Sequence, residues 1–256
     1  MIPKDHPRYH SLLSREKIVD AYKSGILADA GMIAHGRGEA FDYLIGEKTT
    51  ATARKSIKTA AAALLLAKNP VISVNGNTAA LVSSEIVELV GILNAKIEIN
   101  LFYRTEERVK AILKVLNRAG AEEVLGTESK DLKHIEGLNH PRGDVSGDGI
   151  YKADVILLPL EDGDRTEALV KSGKLVIAVD LNPLSRTART ASITVVDNIT
   201  RSIPCIIENV LKLKDRDREE LKRIVDNFNN VNNLKDSLKV MLNSINEFEK
   251  RVKSCR

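Results

Sequence analysis

The sequence predicts an α/β fold: a Rossmann-like, mainly parallel, doubly wound sheet with helices before it and a helical segment after it. Three observations lead there. Short β-branched runs recur through the middle of the chain, several of them apolar on both faces, the texture of strands covered on each side by helices. Helical patterns lie between those runs, and strand, helix, strand repetition is how a parallel sheet is connected. The two ends lack such runs and carry helical periodicity instead.

At the amino end Ser14 is placed to cap a helix over residues 15–24. Lys17 stands where a capping box would need Glu, and Gly25 is the stop. The stretch "HGRGEAFDYLIGEKT" (35–49) reads by itself as a connection, because polar glycine clusters mark loops. Whether it also grips an anion is a question for the rest of the chain. A second helix is expected over 52–68, ending before Asn69-Pro70. Strands are expected at 71–76, 96–102, 153–160, 174–181 and 192–197, with a weaker one at 122–126. Helices are expected at 78–93, 106–119 and 166–172. From Pro204 onward apolar residues from Leu221 to Val252 recur at intervals of three and four, interrupted near the asparagines at 229, 230, 232 and 233. The organisation is then a helical segment (1–70), an α/β core (71–203) and a helical tail (204–256), forming one compact unit.

Composition narrows the function. The net charge of +4 comes from 39 basic and 35 acidic residues, a mild excess that suits small anions better than a nucleic-acid duplex. Aromatics are 4% with no Trp, too few for a base-stacking platform. Cys205 and Cys255 show no metal-ligand spacing and read as thiols of a reducing compartment. The longest apolar run, 60–67, is far shorter than a membrane span, so a cytoplasmic protein without membrane or nucleic-acid partners is expected.

In open parallel sheets ligands bind beyond the carboxyl ends of the strands. "NGNTAA" (75–80) follows the first strand and opens a helix, whose free N–H groups suit phosphate. Neither a Walker loop nor a dinucleotide fingerprint is present, which argues against a nicotinamide-dependent oxidoreductase. Arg104 stands just past the second strand. "EDGDRTEAL" (161–169) offers four acidic side chains that either cap the next helix or hold Mg²⁺, capping being preferred. "DLNPLSRTART" (180–190) follows the next strand with Asp180, Asn182, Arg186 and Arg189, and "DNITRSIP" (197–204) repeats the theme with Asn198 and Arg201. Polar and basic clusters thus converge on one rim.

Residues 149–188, "GIYKADVILLPLEDGDRTEALVKSGKLVIAVDLNPLSRTA", together with "HPRYHSLLSREKI" (6–18) and "GMIAHGRGEAFDYLIGE" (31–47), closely resemble the archaeal phosphopantothenate synthetases. The likeness runs in order from His6 to Pro204 and is weakest in the helical tail. It implies a homodimeric ligase of coenzyme A biosynthesis that joins 4-phosphopantoate to β-alanine, with ATP spent to AMP and diphosphate through an acyl-adenylate. It implies an ATP site at Arg15, Arg37, Asp180, Leu181, Asn182, Arg186, Thr187, Asn198 and Ile199, with Mg²⁺ as the ATP counter-ion. A reaction of this kind asks the protein mainly to position its reactants and neutralise their charge. His10 and His35 are candidates for a base that helps the β-alanine amine. Asn75, Gly76, Asn77, Thr78 and Arg104 are the candidates for the phosphate of 4-phosphopantoate. The alternative is a non-catalytic sensor of a nucleotide or coenzyme A precursor, which would not need the amino-terminal Arg/His cluster.

Overall fold

The computed structural model describes residues 2–6, 8–128, 132–138 and 140–254; Cys255 lies outside them, as does the side chain of Val252. Six parallel strands form the main sheet: β1 (Pro70–Val74), β2 (Lys96–Ile99), β3 (Val124–Leu125), β6 (Val155–Pro159), β7 (Leu175–Val179) and β8 (Ile193–Val195). Their spatial order is β3-β2-β1-β6-β7-β8. The expected strands are all present, each shorter than its β-branched run. Two further strands, β4 (Leu132–His134) and β5 (Asp144–Ser146), pair antiparallel as a separate hairpin that the sequence reading did not anticipate. They are too short and too polar to show a period.

The order reverses direction between β1 and β6, the switch point at which a doubly wound sheet opens a crevice. Alternate side chains sort the two faces. Ile72, Val74, Ile97, Ile99, Leu157, Ile177 and Val179 pack into the larger core. That core is covered by α1 (Tyr9–Lys23), α3 (Ala51–Leu66), α4 (Gly76–Leu93), α5 (Glu106–Arg118), α8 (Ile199–Leu213) and α9 (Arg218–Asp226). Val71, Ile156, Leu158, Val176 and Ala178 face the other way, against α6 (Gly163–Lys171) and the β4–β5 hairpin. A third, small cluster joins Ile45 and Leu181 to Leu234 and Met241 of α10 (Asn230–Ser254).

Several boundaries differ from expectation. Helix α1 begins before Ser14, which sits inside it, and Arg8 occupies the N-cap without a side-chain cap bond; Gly25, at φ +72°, ends that helix as expected. Most of the stretch at 35–49 is no connection: α2 (Asp29–Leu44) carries it as far as Leu44, and residues 45–49 link that helix to α3. Its glycines cost helix propensity, but the carboxylates of Glu39 and Asp42 are pinned to other elements and hold it. Helix α8 starts at Ile199 and carries Pro204 within it, so the expected break at 203/204 falls inside a helix. Among the apolar helices, α4 is long enough and hydrophobic enough to cross a membrane, yet Ala79, Leu81, Val82, Ile86 and Leu89 are buried in the sheet's main core. It breaks at Val82 (φ −143°, ψ 30°), next to the Leu81 carbonyl that accepts a hydrogen bond from Lys17 Nζ (3.3 Å).

Candidate active site

A cavity of about 460 Å³ opens at the carboxyl edge of the sheet. The loops after β6, β7 and β8 supply Leu160, Leu181 and Asn198, and the start of α8 supplies Ile199, Thr200 and Arg201. The facing wall is helical: His10, Ser11, Ser14 and Lys17 from α1, and His35, Gly38, Glu39 and Asp42 from α2. Positions 35, 38, 39 and 42 share one helical face. Read at helical rather than loop spacing, that pattern would have revealed both the helix and its lining carboxylates.

Two ionic clusters shape the cavity. Glu39 ties α1 to α2: it accepts from Arg15 Nη2 (2.7 Å), Ser11 Oγ (2.7 Å) and Tyr43 Oη (2.8 Å). Burial raises its pKa, but the hydrogen bonds from Arg15, Ser11 and Tyr43 outweigh burial and bring it down to about 2. The floor is deeper. Arg201 donates to Asp42 and, through Nε (2.9 Å) and Nη2 (2.6 Å), to Asp197 Oδ1. Asn198 Nδ2 reaches Asp42 at 2.8 Å, and Thr49 Oγ1 closes on Asp197 at 2.6 Å. Asp42 and Asp197 are both buried. Burial lowers the pKa of His35, so its ring is neutral near pH 7, able to accept a proton.

The site residues expected from sequence divide. His10, His35, Leu181, Asn198 and Ile199 meet in this cavity. Arg15 stands behind its wall, bound to Glu39. Arg37 is exposed on the face of α2 turned away from the cavity. Asp180 and Asn182 act locally. Asp180 accepts from Asn182 N (2.9 Å) and from the Ser185 hydroxyl, and Asn182 Oδ1 takes the amide of Leu184 (2.9 Å). Burial raises the Asp180 carboxyl above the usual range. Thr187 Oγ1 donates to the Glu161 carbonyl (2.8 Å), while Arg186 is exposed and paired with Asp164 and Glu167. Gly163 is needed here, since a Cβ would stand 2.6 Å from the Arg186 side chain. Of the four acids at 161–169, Asp162 caps α6 through the Arg165 amide (3.0 Å), the role expected for the group.

Asn75 is fully engaged. Its Oδ1 caps α4 at Thr78 N (3.0 Å), and its Nδ2 donates to the carbonyls of Pro159 and Leu160, both at 3.0 Å. Those bonds brace Leu160, which holds φ +54°, a conformation costing a non-glycine residue about 1–3 kcal/mol. Gly76, Asn77 and Thr78 are buried, and a Cβ on Gly76 would meet the Ile26 carbonyl at 2.7 Å. The Oδ1 atom of Asn77 has no hydrogen-bond partner. Arg104 is exposed and donates to the Gly126 carbonyl (2.7 Å).

A second cavity, of about 500 Å³, lies across the 160–164 segment; Arg186, Asp162, Asp164 and Glu167, all noted in the sequence, line it together with residues that the sequence reading missed, Arg142 and Arg165 among them. Both are buried, and both pair with buried Glu161. Nothing in their local sequence distinguishes them from surface cations.

The phosphopantothenate/pantothenate synthetase family matches residues 52–244. Curated relatives extend the match. The 4-phosphopantoate–beta-alanine ligase of Thermococcus onnurineus is 58% identical over 238 residues, covering 93% of this chain and 90% of the relative. The protein of the same name from Thermococcus kodakarensis has the same figures. That of Methanosarcina mazei is 51% identical over 237 residues, covering 93% and 92%.

Proposed function

Because the chain belongs to the phosphopantothenate/pantothenate synthetase family, we infer that it is a ligase condensing 4-phosphopantoate with β-alanine at the expense of ATP. The observation that carries the reading is the first cavity, where strand-end Leu181, Asn198 and Ile199 meet His10 and His35 at the carboxyl edge of a doubly wound sheet. ATP occupies this cavity, its anionic tail brought to α1 and its base and ribose to the strand ends. Mg²⁺ enters with the nucleotide phosphates, as their counter-ion.

The chemistry has two steps. The carboxylate of 4-phosphopantoate attacks the α-phosphorus of ATP, the Pα–O bond to the β-phosphate breaks, and diphosphate leaves. The β-alanine amine then attacks the acyl carbon, the acyl C–O bond breaks, and AMP departs. His35, neutral because burial lowers its pKa, accepts the proton the amine must lose; His10 is the second candidate. Residues 75–78 and Arg104 remain candidates for the phosphate of 4-phosphopantoate. Resolving the nucleotides formed with both acids present is expected to give AMP in step with product. ADP in step with product rejects the adenylate route, and nucleotide binding without turnover favours the sensor reading.

Arg186→Ala is expected to raise KM for ATP about ten- to a hundredfold, the value of a charge-assisted phosphate contact, while leaving that for β-alanine nearly unchanged. For this, Arg186, which lines the second cavity and not the first, must leave Asp164 and Glu167 and reach the nucleotide's phosphate oxygens across the 160–164 segment. Equal effects on both KM values, or none, would leave it the surface pairing it already has.

The working form is a homodimer. Arg37 faces away from its own chain's cavity, with exposed Ile33 one turn before it on the same face of α2, and Val231, Leu242, Ile245 and Phe248 leave an apolar stripe open on α10. Such a surface lets Arg37 serve a nucleotide across a dimer interface. Light scattering at micromolar concentration is expected to give twice the chain mass; a stable monomer contradicts this.

A further inference from the structure

The second cavity contains an unfilled grip. Arg165 lines it and is 1% exposed. Its Nη1 donates to Ser73 Oγ (3.1 Å) and Glu161 Oε2 (2.5 Å), but its Nε and Nη2, sealed behind the cavity wall, have no hydrogen-bond partner among the described residues. Those two N–H groups form one edge of the guanidinium. In Arg15 the same edge closes on Glu39, with Nε at 3.1 Å and Nη2 at 2.7 Å, and in Arg201 it closes on Asp197. Buried polar groups are normally satisfied, and an unmade pair on a buried cation is costly.

Among the described residues no carboxylate fills that edge: those packed beside Arg165 are engaged elsewhere, and Glu136, exposed on the cavity's rim, makes no bond to it. Glu161 is shared between Arg142 and Arg165 Nη1. Glu98 accepts from the amides of Ser146 (2.9 Å) and Ile150 (2.7 Å). Asp162 pairs with Arg142, and Asp164 and Glu167 pair with Arg186. The wall opposite is a polar aromatic one: His140 stacks on Phe102 at 4.5 Å between ring centroids. The His140 Nδ1 accepts the Arg142 amide (3.3 Å), which leaves Nε2–H as the ring's donor.

We propose that the second cavity is an oxyanion site, in which the unpaired edge of Arg165, uncovered as the side chains over it move aside, takes the non-reacting acidic end of a small aliphatic acid. The ligand's identity rests on the ligase reading. Two reactants have such an end, the phosphate of 4-phosphopantoate and the carboxylate of β-alanine, and gripping it leaves the reacting carboxylate or amine free. The cavity adjoins the nucleotide cavity along the 160–164 segment, so an acid held here stands beside the bound ATP.

Arg165→Lys keeps the charge but cannot offer two coplanar donors. It is expected to raise KM for one of the two acids about ten- to a hundredfold with KM for ATP unchanged. Lys171→Glu, on the exposed rim, keeps the fold if the first variant does not, and is expected to raise the same KM by an amount that shrinks with added salt. Dead-end probes identify the source: propionate competing with β-alanine assigns the carboxylate, and inorganic phosphate competing with 4-phosphopantoate assigns the phosphate. Unchanged KM values for both acids in folded variants overturn the proposal, as does a rise confined to ATP. Failure of the ligase reading shows separately, as wild-type protein that forms no ligated product. In that case titrating propionate or phosphate into the wild type, followed by the His140 ring signals, still tests the cavity: shifts support it and their absence overturns it.

Discussion

Glu161→Ala is expected to destabilise the protein by about 3–5 kcal/mol, the usual cost of breaking a buried ion pair from one side. Burial alone would raise the pKa of Glu161, but Arg142 and Arg165 beside it hold the carboxyl below the usual range. Removing that carboxylate leaves two guanidiniums, 6% and 1% exposed, with their shared counter-charge gone. Arg142 retains Asp162 and Asn100 Oδ1 (3.0 Å), whereas Arg165 retains only the Ser73 hydroxyl. The damage should therefore concentrate on α6 and β1. Urea unfolding of wild type and variant, compared at unchanged m-value, measures it. A loss below about 1 kcal/mol would mean that the two arginines find water or another acid once Glu161 is gone.

Arg201→Ala ranks second, at about 3 kcal/mol, because Arg201 is itself partly exposed while the carboxylates it neutralises are not. Asp42 and Asp197 would be left as buried anions below the nucleotide cavity. Repulsion between them and the ATP phosphates adds a second effect, so KM for ATP should rise even where the protein remains folded. Arg201→Lys, which keeps one charge but not the paired donors, should recover part of the stability and less of the affinity. Thermal unfolding read alongside ATP kinetics separates the two effects. Equal recovery of both by lysine would show that charge alone matters here.

The strands and the sheet class were legible because β-branched runs such as "ADVILLPL" are apolar on both faces, and only a covered parallel strand needs that. Helix α2 was masked: positions 35, 38, 39 and 42 keep helical spacing, but the glycines there hide it. Gly36 and Gly38 speak locally for a loop, and the forces that overrule them come from Arg15 and Arg201, distant in sequence. Strand-end position pointed to Asp180, Asn182, Arg186 and Asn198, and the family resemblance added Leu181, Thr187 and Ile199; of these, Leu181, Asn198 and Ile199 line the cavity. Arg142 and Arg165 follow no such rule. Their burial is decided by what Ser73, Asn100 and Glu161 bring to the same spot, which no local pattern records.

The floor of the nucleotide cavity joins residues far apart along the chain: Thr49 to Asp197 across 148 positions, Asp42 to Asn198 across 156, and Asp42 to Arg201 across 159. Contacts of such long range close late in folding, since the loop entropy must be spent before they form. The strands between them can pair beforehand, but the floor waits for α2 and α8 to meet. The floor is therefore incomplete in any amino-terminal fragment that lacks α8, which supplies Arg201. A ligand bound over this floor stabilises the fully closed chain, shifting the equilibrium away from partly folded forms by mass action. Whatever occupies this cavity engages a chain whose distant segments have already met.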